Sequence, residues 1–355
     1  MNLLFLCKRR PMDKDLITTP YGRFYYIPEI LSEYGHQCTV LLLNYKQEQE
    51  LDITKDNIRW LSVNLGTLPG IKFYRTASAI IKNSNIDWVI GFSDTYFGIL
   101  AQHLAQKYSI RSLIDAYDNY ESYIHWLKPL HWLWRRALGK ATAISAAGPG
   151  LASLMSQYRH DQNTYVVPMA ADPAFKKSPQ KQQLHEQFNL PENRTFIAYC
   201  GSMYHNRGIE TLFNALKIVE KNMPDVEVIL TGRKQKNITI PEFCNWLGYL
   251  PDENMPDLLN NVDLLIVMGK PGAFGDFSYP VKLYEAIQCQ TPVIAIDTPA
   301  TRWILQNNND LLVKPDDPVE LASSIQRMIH EKTTLDIDCN WESSTSIFQD
   351  ILTRK

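Results

Sequence analysis

Lys282 and Glu285 stand three residues apart in Tyr279-Pro-Val-Lys282-Leu-Tyr-Glu285-Ala-Ile-Gln-Cys-Gln-Thr291-Pro292-Val-Ile-Ala-Ile-Asp297. That spacing puts an ammonium and a carboxylate on one face of a helix start. A Thr-Pro break and the β-branched run Val293 to Ile296 follow, and a glycine-rich loop, Gly269 to Gly275, precedes it. A loop-to-helix junction of this kind offers free amides and the positive end of the helix dipole to phosphate oxygens. A carboxylate there has no use for phosphate, so Glu285 suits sugar hydroxyls. Lys282 either reaches the phosphate or pairs with Glu285. The chemistry expected is that of a nucleotide-like ligand.

A second junction has the same outline. Gly201-Ser202-Met-Tyr-His205-Asn-Arg207-Gly208-Ile-Glu210 follows the apolar run Phe196–Cys200 and leads into a helical pattern. A glycine-bounded turn with a cation at a helix start is a phosphate cradle. Arg233 ends the next apolar run, in Leu230-Thr-Gly-Arg, and Gly248-Tyr249-Leu250-Pro251 makes a turn after the one beyond it. As alternatives, Arg207 and Arg233 are solvated loop cations and the Tyr249 segment a plain β-turn.

These segments together resemble the donor site of retaining glycosyltransferases of the GT-B fold, in particular the family-4-like group (glycosyl transferases group 1). The resemblance implies that Glu285 holds the ribose of a nucleotide sugar. It also implies that Gly201, Ser202 and Arg207 form the diphosphate loop, and that Tyr249 lies by the nucleobase. The chain departs from the family pattern twice. Ser202 stands where an arginine is usual, so Arg233 is the candidate second cation. Phe277 stands where a second glutamate is usual, so Asp276, in Gly275-Asp276-Phe-Ser278-Tyr-Pro280, is the candidate to orient the sugar, with Ser278 beside it. Arg207, Arg233 and Lys282 would offset charge on the departing diphosphate. Retention is implied too, with the leaving phosphate taking the acceptor proton, so that no protein base is essential. No cofactor is expected beyond the nucleotide sugar as co-substrate.

Acceptor-side candidates come from the first half. Lys8-Arg-Arg-Pro … Thr19-Pro-Tyr21-Gly22-Arg23-Phe-Tyr-Tyr occupies the place of the family's glycine-rich loop, with Gly22 and Arg23 the candidates. The alternative is a helix start packed on the core, which is the better reading of the tyrosines. Asp94, in Gly91-Phe-Ser93-Asp94-Thr95, ends an apolar run at the expected cleft. It either handles the acceptor hydroxyl as a catalytic group or caps the next helix. Asp115 and the run Asp118–Glu121 carry the same ambiguity. Two Asp-x-Asp pairs, Asp13/Asp15 and Asp336/Asp338, fall in a polar loop and near the tail, and no metal site is expected from them.

The elements that must position these residues alternate. Short apolar strands and helical segments follow each other, the pattern of a parallel α/β fold. Strands are expected at Leu3–Cys7, Cys38–Leu43, Trp88–Ile90, Ser112–Asp115, Thr142–Ser145 and Thr164–Pro168. The rhythm restarts at Phe196–Cys200 and continues through Val226–Leu230, Trp246–Gly248, Leu264–Val267, Val293–Ile296 and Leu311–Val313. Asp172 to Pro179 reads as a linker. The resemblance thus implies two Rossmann-like domains facing a central cleft: residues 1–172 on the acceptor side and 173–338 on the nucleotide-sugar side. The tail 339–355, with Asn340-Trp341-Glu342, resembles the helix that returns to the first domain in such enzymes.

Composition narrows the class. At 355 residues with a net charge of −2, the chain has material for two cores and no basic excess for nucleic acid. Its six cysteines show no metal spacing and suit a cytoplasmic, reducing setting. Neither a signal peptide nor an apolar run long enough to span a bilayer is read. His125-Trp126-Leu-Lys128 … His131-Trp132-Leu-Trp134-Arg135-Arg136 mixes tryptophan with cations. That mixture suits peripheral contact with anionic headgroups on the inner face of a membrane, and also a helix packed on a sheet. The function expected is transfer of a sugar from a nucleotide sugar to a glycan or lipid-linked acceptor in cell-surface polysaccharide synthesis. The alternatives are a sugar-nucleotide epimerase and a catalytically silent binding subunit.

Overall fold

The computed structural model describes residues 1–66, 70–178, 191 and 194–354. Two compact units emerge: Met1–Met169 with Trp341–Lys355, and Ala170–Asn340. The linker expected over Asp172–Pro179 is described as far as Ser178; Pro179 lies outside the described residues.

The first unit is built on an eight-stranded sheet of order β3-β4-β2-β1-β5-β6-β7-β8. Its strands are β1 (Asn2–Lys8), β2 (Gln37–Asn44), β3 (Leu51–Lys55), β4 (Ile58–Asn64), β5 (Trp88–Gly91), β6 (Arg111–Ala116), β7 (Ala143–Ala146) and β8 (Thr164–Val166). All neighbours are parallel except β3 and β4, an edge hairpin. β1 is apolar without alternation, Leu3 to Cys7 being fully buried, as a central strand covered on both faces must be. Helices α1 (Arg23–Glu33), α2 (Ile71–Asn83), α3 (Thr95–Tyr108), α4 (Lys128–Lys140) and α5 (Pro149–Ser156) connect the strands. α2 turns Phe73, Ala77, Ile80 and Ile81 inward, one stripe at helical spacing.

The second unit has a six-stranded, wholly parallel sheet of order β11-β10-β9-β12-β13-β14. The strands are β9 (Thr195–Cys200), β10 (Val226–Thr231), β11 (Cys244–Trp246), β12 (Leu264–Val267), β13 (Val293–Ile296) and β14 (Leu312–Val313). Its helices are α6 (Ile209–Asn222), α7 (Met255–Asn261), α8 (Val281–Gln288), α9 (Pro299–Ile304) and α10 (Pro318–Glu331). The last helix, α11 (Trp341–Thr353), belongs to the first unit, where Trp341 stacks on Tyr26 at 6.2 Å and Phe348 meets Phe92 at 6.1 Å.

In each sheet the strand order reverses once, between β1 and β5 and between β9 and β12. A crevice outside the carboxyl ends of the strands forms at such a reversal, and ligands of open α/β sheets bind there. Within the second unit, the segments leaving β9 and β12 are those that carry Arg207 and the glycine-rich loop.

Candidate functional site

The loop leaving β9 is held by main-chain ties to its neighbours. The Met203 amide donates to the Arg233 carbonyl at 2.8 Å, the Gln235 amide to the Met203 carbonyl at 3.2 Å, and the Gly232 amide to the Gly248 carbonyl at 2.7 Å. The loops after β9, β10 and β11 are thereby laced together. Gly232 makes this possible: its φ is +115°, and a Cβ there would sit 2.3 Å from the Gly201 carbonyl oxygen. Arg233 then lies over the Tyr249 ring, 5.3 Å from its centroid, with Tyr249 itself 58 % exposed. A short 3-10 turn, His205–Arg207, and Gly208 with φ +75° hand the chain into α6. His205 bonds Glu210, which lifts its pKa above the usual histidine value, and Asn237.

The loop leaving β12 closes on itself. A Cβ on Gly275 would lie 1.9 Å from the Lys270 carbonyl oxygen, so only glycine fits where the loop doubles back. This loop and the Arg207 turn border a shallow recess lined by Asn206, Arg207, Met268, Gly269, Lys270, Phe274, Gly275, Ser278, Pro280, Thr298 and Thr301. Arg207 stands over Phe274 at 5.8 Å. Two cations, two threonines and no carboxylate line this space. Asp276 sits half-buried in the 3-10 turn Gly275–Phe277 and is not among the lining residues, whereas its neighbours Gly275 and Ser278 are.

α8 starts where that loop ends. Its N-cap is Pro280, which gives no side-chain cap, and Lys282 and Glu285 occupy its first turns. The Lys282 ammonium lies 2.6 Å from Glu285 Oε2 and 5.6 Å from the Phe175 ring centroid. Burial pulls the ammonium pKa down, but the charge and hydrogen bond of Glu285 outweigh it and leave Lys282 above the usual lysine value. Glu285 is 2 % exposed. The thiol of Cys200, at the end of β9, is pushed up to about 11 by burial while Lys282 pulls it down, which places the α8 start beside the end of β9. So of the two options open for Lys282, the structure displays the pair with Glu285.

In the first unit the picture differs from expectation. Arg23 is not presented to a ligand: it is 1 % exposed, with Nε 2.9 Å and Nη2 2.6 Å from the two Asp115 oxygens, and Nη1 donates to the Val167 carbonyl. Asp115 also accepts from the Ser145 hydroxyl at 2.6 Å. Burial is the reason: a guanidinium at the base of α1 must be paired, and Asp115 on β6 is what it meets. The acceptor-side assignment of Arg23 is therefore corrected to a structural one. Asp94 caps α3, accepting from the Tyr96 amide at 3.0 Å, and burial raises its pKa despite the opposing Lys8 charge. Gly22 precedes α1 with φ +60° and open space where a Cβ would be. Ser93 meets the Lys8 amide at 3.3 Å, so the segments leaving β1 and β5 touch at this sheet's own reversal point. Of the Asp-x-Asp pairs, Asp15 is committed to Arg9, Arg10 and the Ile17 amide.

Lys270, Asn206, Thr298 and Thr301 line the recess without having been singled out in the sequence. They come from three separate segments. Only the glycine spacing around Lys270 was a signal.

Comparison with known proteins accords with this geometry. Residues 194–331 match the family model described as Glycosyl transferases group 1. Sucrose-phosphate synthase from Thermosynechococcus elongatus superposes with a TM-score of 0.73 at 15 % identity, covering 99 % of this chain and 94 % of that one. HepE of Anabaena, in complex with UDP, gives 0.69 at 17 % identity, covering 99 % and 95 %. The chain has the GT-B fold, and most of its second unit is similar to group 1 glycosyltransferases. TuaC of Bacillus subtilis, named as a teichuronic acid biosynthesis glycosyltransferase, is 22 % identical over 214 residues, 59 % of this chain. The chain spans about half the length of that curated relative, 52 %. Among the described residues of this GT-B chain, no helix is long and apolar enough to cross a membrane.

Proposed function

We propose that this protein transfers a glycosyl group from a nucleoside diphosphate sugar to a glycan or lipid-linked acceptor, with retention and without a metal ion. One observation carries the reading: the Arg207 turn, the Gly269–Gly275 loop and the uncapped start of α8 converge at the β9/β12 reversal, around a recess with two cations and no carboxylate. A diphosphate suits that setting, since free amides and guanidinium groups favour anions. The Glu285 carboxylate, held in place by Lys282, suits the two hydroxyls of a ribose. Tyr249, exposed beside Arg233, offers a face on which a base can stack. As the sugar–phosphate bond breaks, negative charge grows on the diphosphate, and Arg207 and Arg233 stabilise it in proportion. The departing phosphate oxygen takes the acceptor proton, so this reading asks no side chain to be an essential base. HepE, whose structures hold UDP and UDP-glucose, makes UDP-glucose the first donor to try. TuaC supports cell-surface polysaccharide synthesis as the setting.

Calorimetry with a panel of nucleoside diphosphate sugars, followed by product analysis with glycan and lipid-linked acceptors, tests this. Binding that weakens in Glu285→Ala, with acceptor-dependent transfer, supports it. Nucleotide release without an acceptor, giving an epimerised sugar, would replace it with the epimerase reading. No binding to any donor would leave a silent GT-B subunit.

A further inference from the structure

The first unit carries a surface that the nucleotide chemistry does not use. Among the described residues fourteen large hydrophobic side chains are exposed, and five of them fall between Tyr123 and Leu133: Tyr123, Ile124, Trp126 at 69 %, Trp132 at 59 % and Leu133. α4 divides cleanly. His131, Trp134, Ala137 and Leu138 are buried, and Lys128, Trp132, Leu133, Arg136 and Lys140 face out. The indole of Trp134 is thus the packed one and that of Trp132 is not, although both occur in the same run. Charge on this face is one-sided. From Ser122 to His160 the chain has no Asp or Glu and five Lys or Arg. Arg135 pairs with Glu121 and Arg159 with Asp161, whereas Lys128, Arg136 and Lys140 form no ion pair among the described residues. Arg136 rests over the Trp132 ring at 5.3 Å.

We propose that the outer face of α4 and the turn before it form a peripheral docking surface for the anionic headgroups of a lipid bilayer. The side-chain chemistry selects this occupant. Tryptophan and tyrosine bury their rings at the acyl boundary while their N–H and O–H groups stay with the headgroups. Lysine and arginine stems lie along apolar surface with their charges at the phosphates. Lysine is depleted at protein–protein interfaces, and the carboxylates beside this face are engaged, Glu121 by Arg135 and Asp118 by the Tyr123 hydroxyl, so that Lys128, Arg136 and Lys140 are left to complement an anionic surface. α4 lies on such a surface and does not span it. The proposal is independent of the nucleotide site, and failure of donor binding would leave it standing.

The test is sedimentation of the full chain with vesicles of phosphatidylcholine alone and of phosphatidylcholine with phosphatidylglycerol, at low and at 0.5 M salt (about a fourfold shorter Debye length than at low salt). The expected result is binding to the anionic vesicles only, released by salt. Lys128→Glu with Arg136→Glu should weaken it about tenfold or more, Trp126→Ser with Trp132→Ser should abolish it, and Lys217→Glu on α6 should not change it. Brominated lipid should quench the wild-type tryptophan fluorescence, a readout that needs no variant. Equal binding to neutral vesicles, no quenching, or variants that bind as wild type would overturn the proposal. So would self-association in solution that the tryptophan variant abolishes while wild type ignores vesicles; the face would then be an interface between copies of this chain.

Discussion

The Lys282 ammonium lies 2.6 Å from the Glu285 carboxylate across one turn of α8, with the Glu285 side chain 3 % exposed and that of Lys282 33 % exposed. A buried carboxylate held by a half-exposed lysine is an asymmetric pair. Removing the lysine strands a charge with no water, whereas removing the glutamate leaves an ammonium that can turn outward. Lys282→Ala should therefore destabilise the protein by about 3 kcal/mol and Glu285→Ala by less. Chemical denaturation of both single variants and of Lys282→Met/Glu285→Leu checks this. The double variant should recover most of the stability while binding no nucleotide, separating packing from ligand chemistry.

The same pair has a pH signature. The Lys282 pKa is raised in the folded state, so its contribution is fully present below the unfolded lysine value, about 10.4, and is lost as pH rises through the folded value. Wild type should lose stability relative to the double variant above about pH 10.4 and show no such difference between pH 6 and 9. Denaturation at stepped pH reads this directly. A difference that grows towards acid would contradict the assignment.

Arg207 should matter to phosphate more than to base or ribose. Arg207→Ala is expected to weaken nucleoside diphosphate binding by about 1.5–3 kcal/mol, the worth of a hydrogen bond to a charged group, and nucleoside binding hardly at all. Calorimetry with the two ligands in parallel gives the contrast. Equal losses for both would mean that Arg207 supports the fold of the turn and does not meet the phosphates.

Gly232 should tolerate no side chain. Gly232→Ala meets the Gly201 carbonyl at 2.3 Å and keeps a φ of +115° that alanine resists. A loss of about 1–3 kcal/mol is expected, together with weaker donor binding, because Arg233 and Tyr249 ride on the same loops. A thermal melt and a titration of one protein sample suffice.

Arg23→Met tests the reassignment of that residue. It strands Asp115, which among the described residues keeps the Ser145 hydroxyl, and should cost about 3–5 kcal/mol. Nucleotide affinity of whatever remains folded should be unchanged. If instead stability held and only transfer to the acceptor fell, Arg23 would return to the acceptor side.

Much of this architecture was legible because parallel strands announce themselves as short unbroken apolar runs, and β1, β9 and β12 do so. The edge hairpin β3–β4 was not read. Its outer strand, Leu51-Asp-Ile-Thr-Lys, is largely exposed and lacks a core run, yet a signal existed: the hairpin turns at Asp56 and Asn57, both with positive φ of 53° and 58°, residue types suited to such turns. α2 went unread despite its helical stripe, and β11 lies at Cys244–Trp246, two residues before its expected place. At the site, Arg207 and the α8 pair were readable from local spacing, and Ser278 through the family resemblance. Lys270 was marked only by the glycines around it and Thr298 not at all, since nothing local says that two loops some 30 residues apart line one space. The pairing of Arg23 with Asp115, 92 residues away, is closed to local reading for the same reason.

The loops after β9, β10 and β11 are joined largely by amides and carbonyls, with Gly232 as the point of closest approach and with His205, bonded to Asn237 and through its amide to Gln235 Oε1, as the side-chain tie. The main-chain ties are blind to side-chain identity. The positions they present, Ser202, Arg233 and Tyr249 among them, can be exchanged one at a time without rebuilding the rim that carries them. Ser202 can therefore stand on this rim without any change in the backbone that holds it.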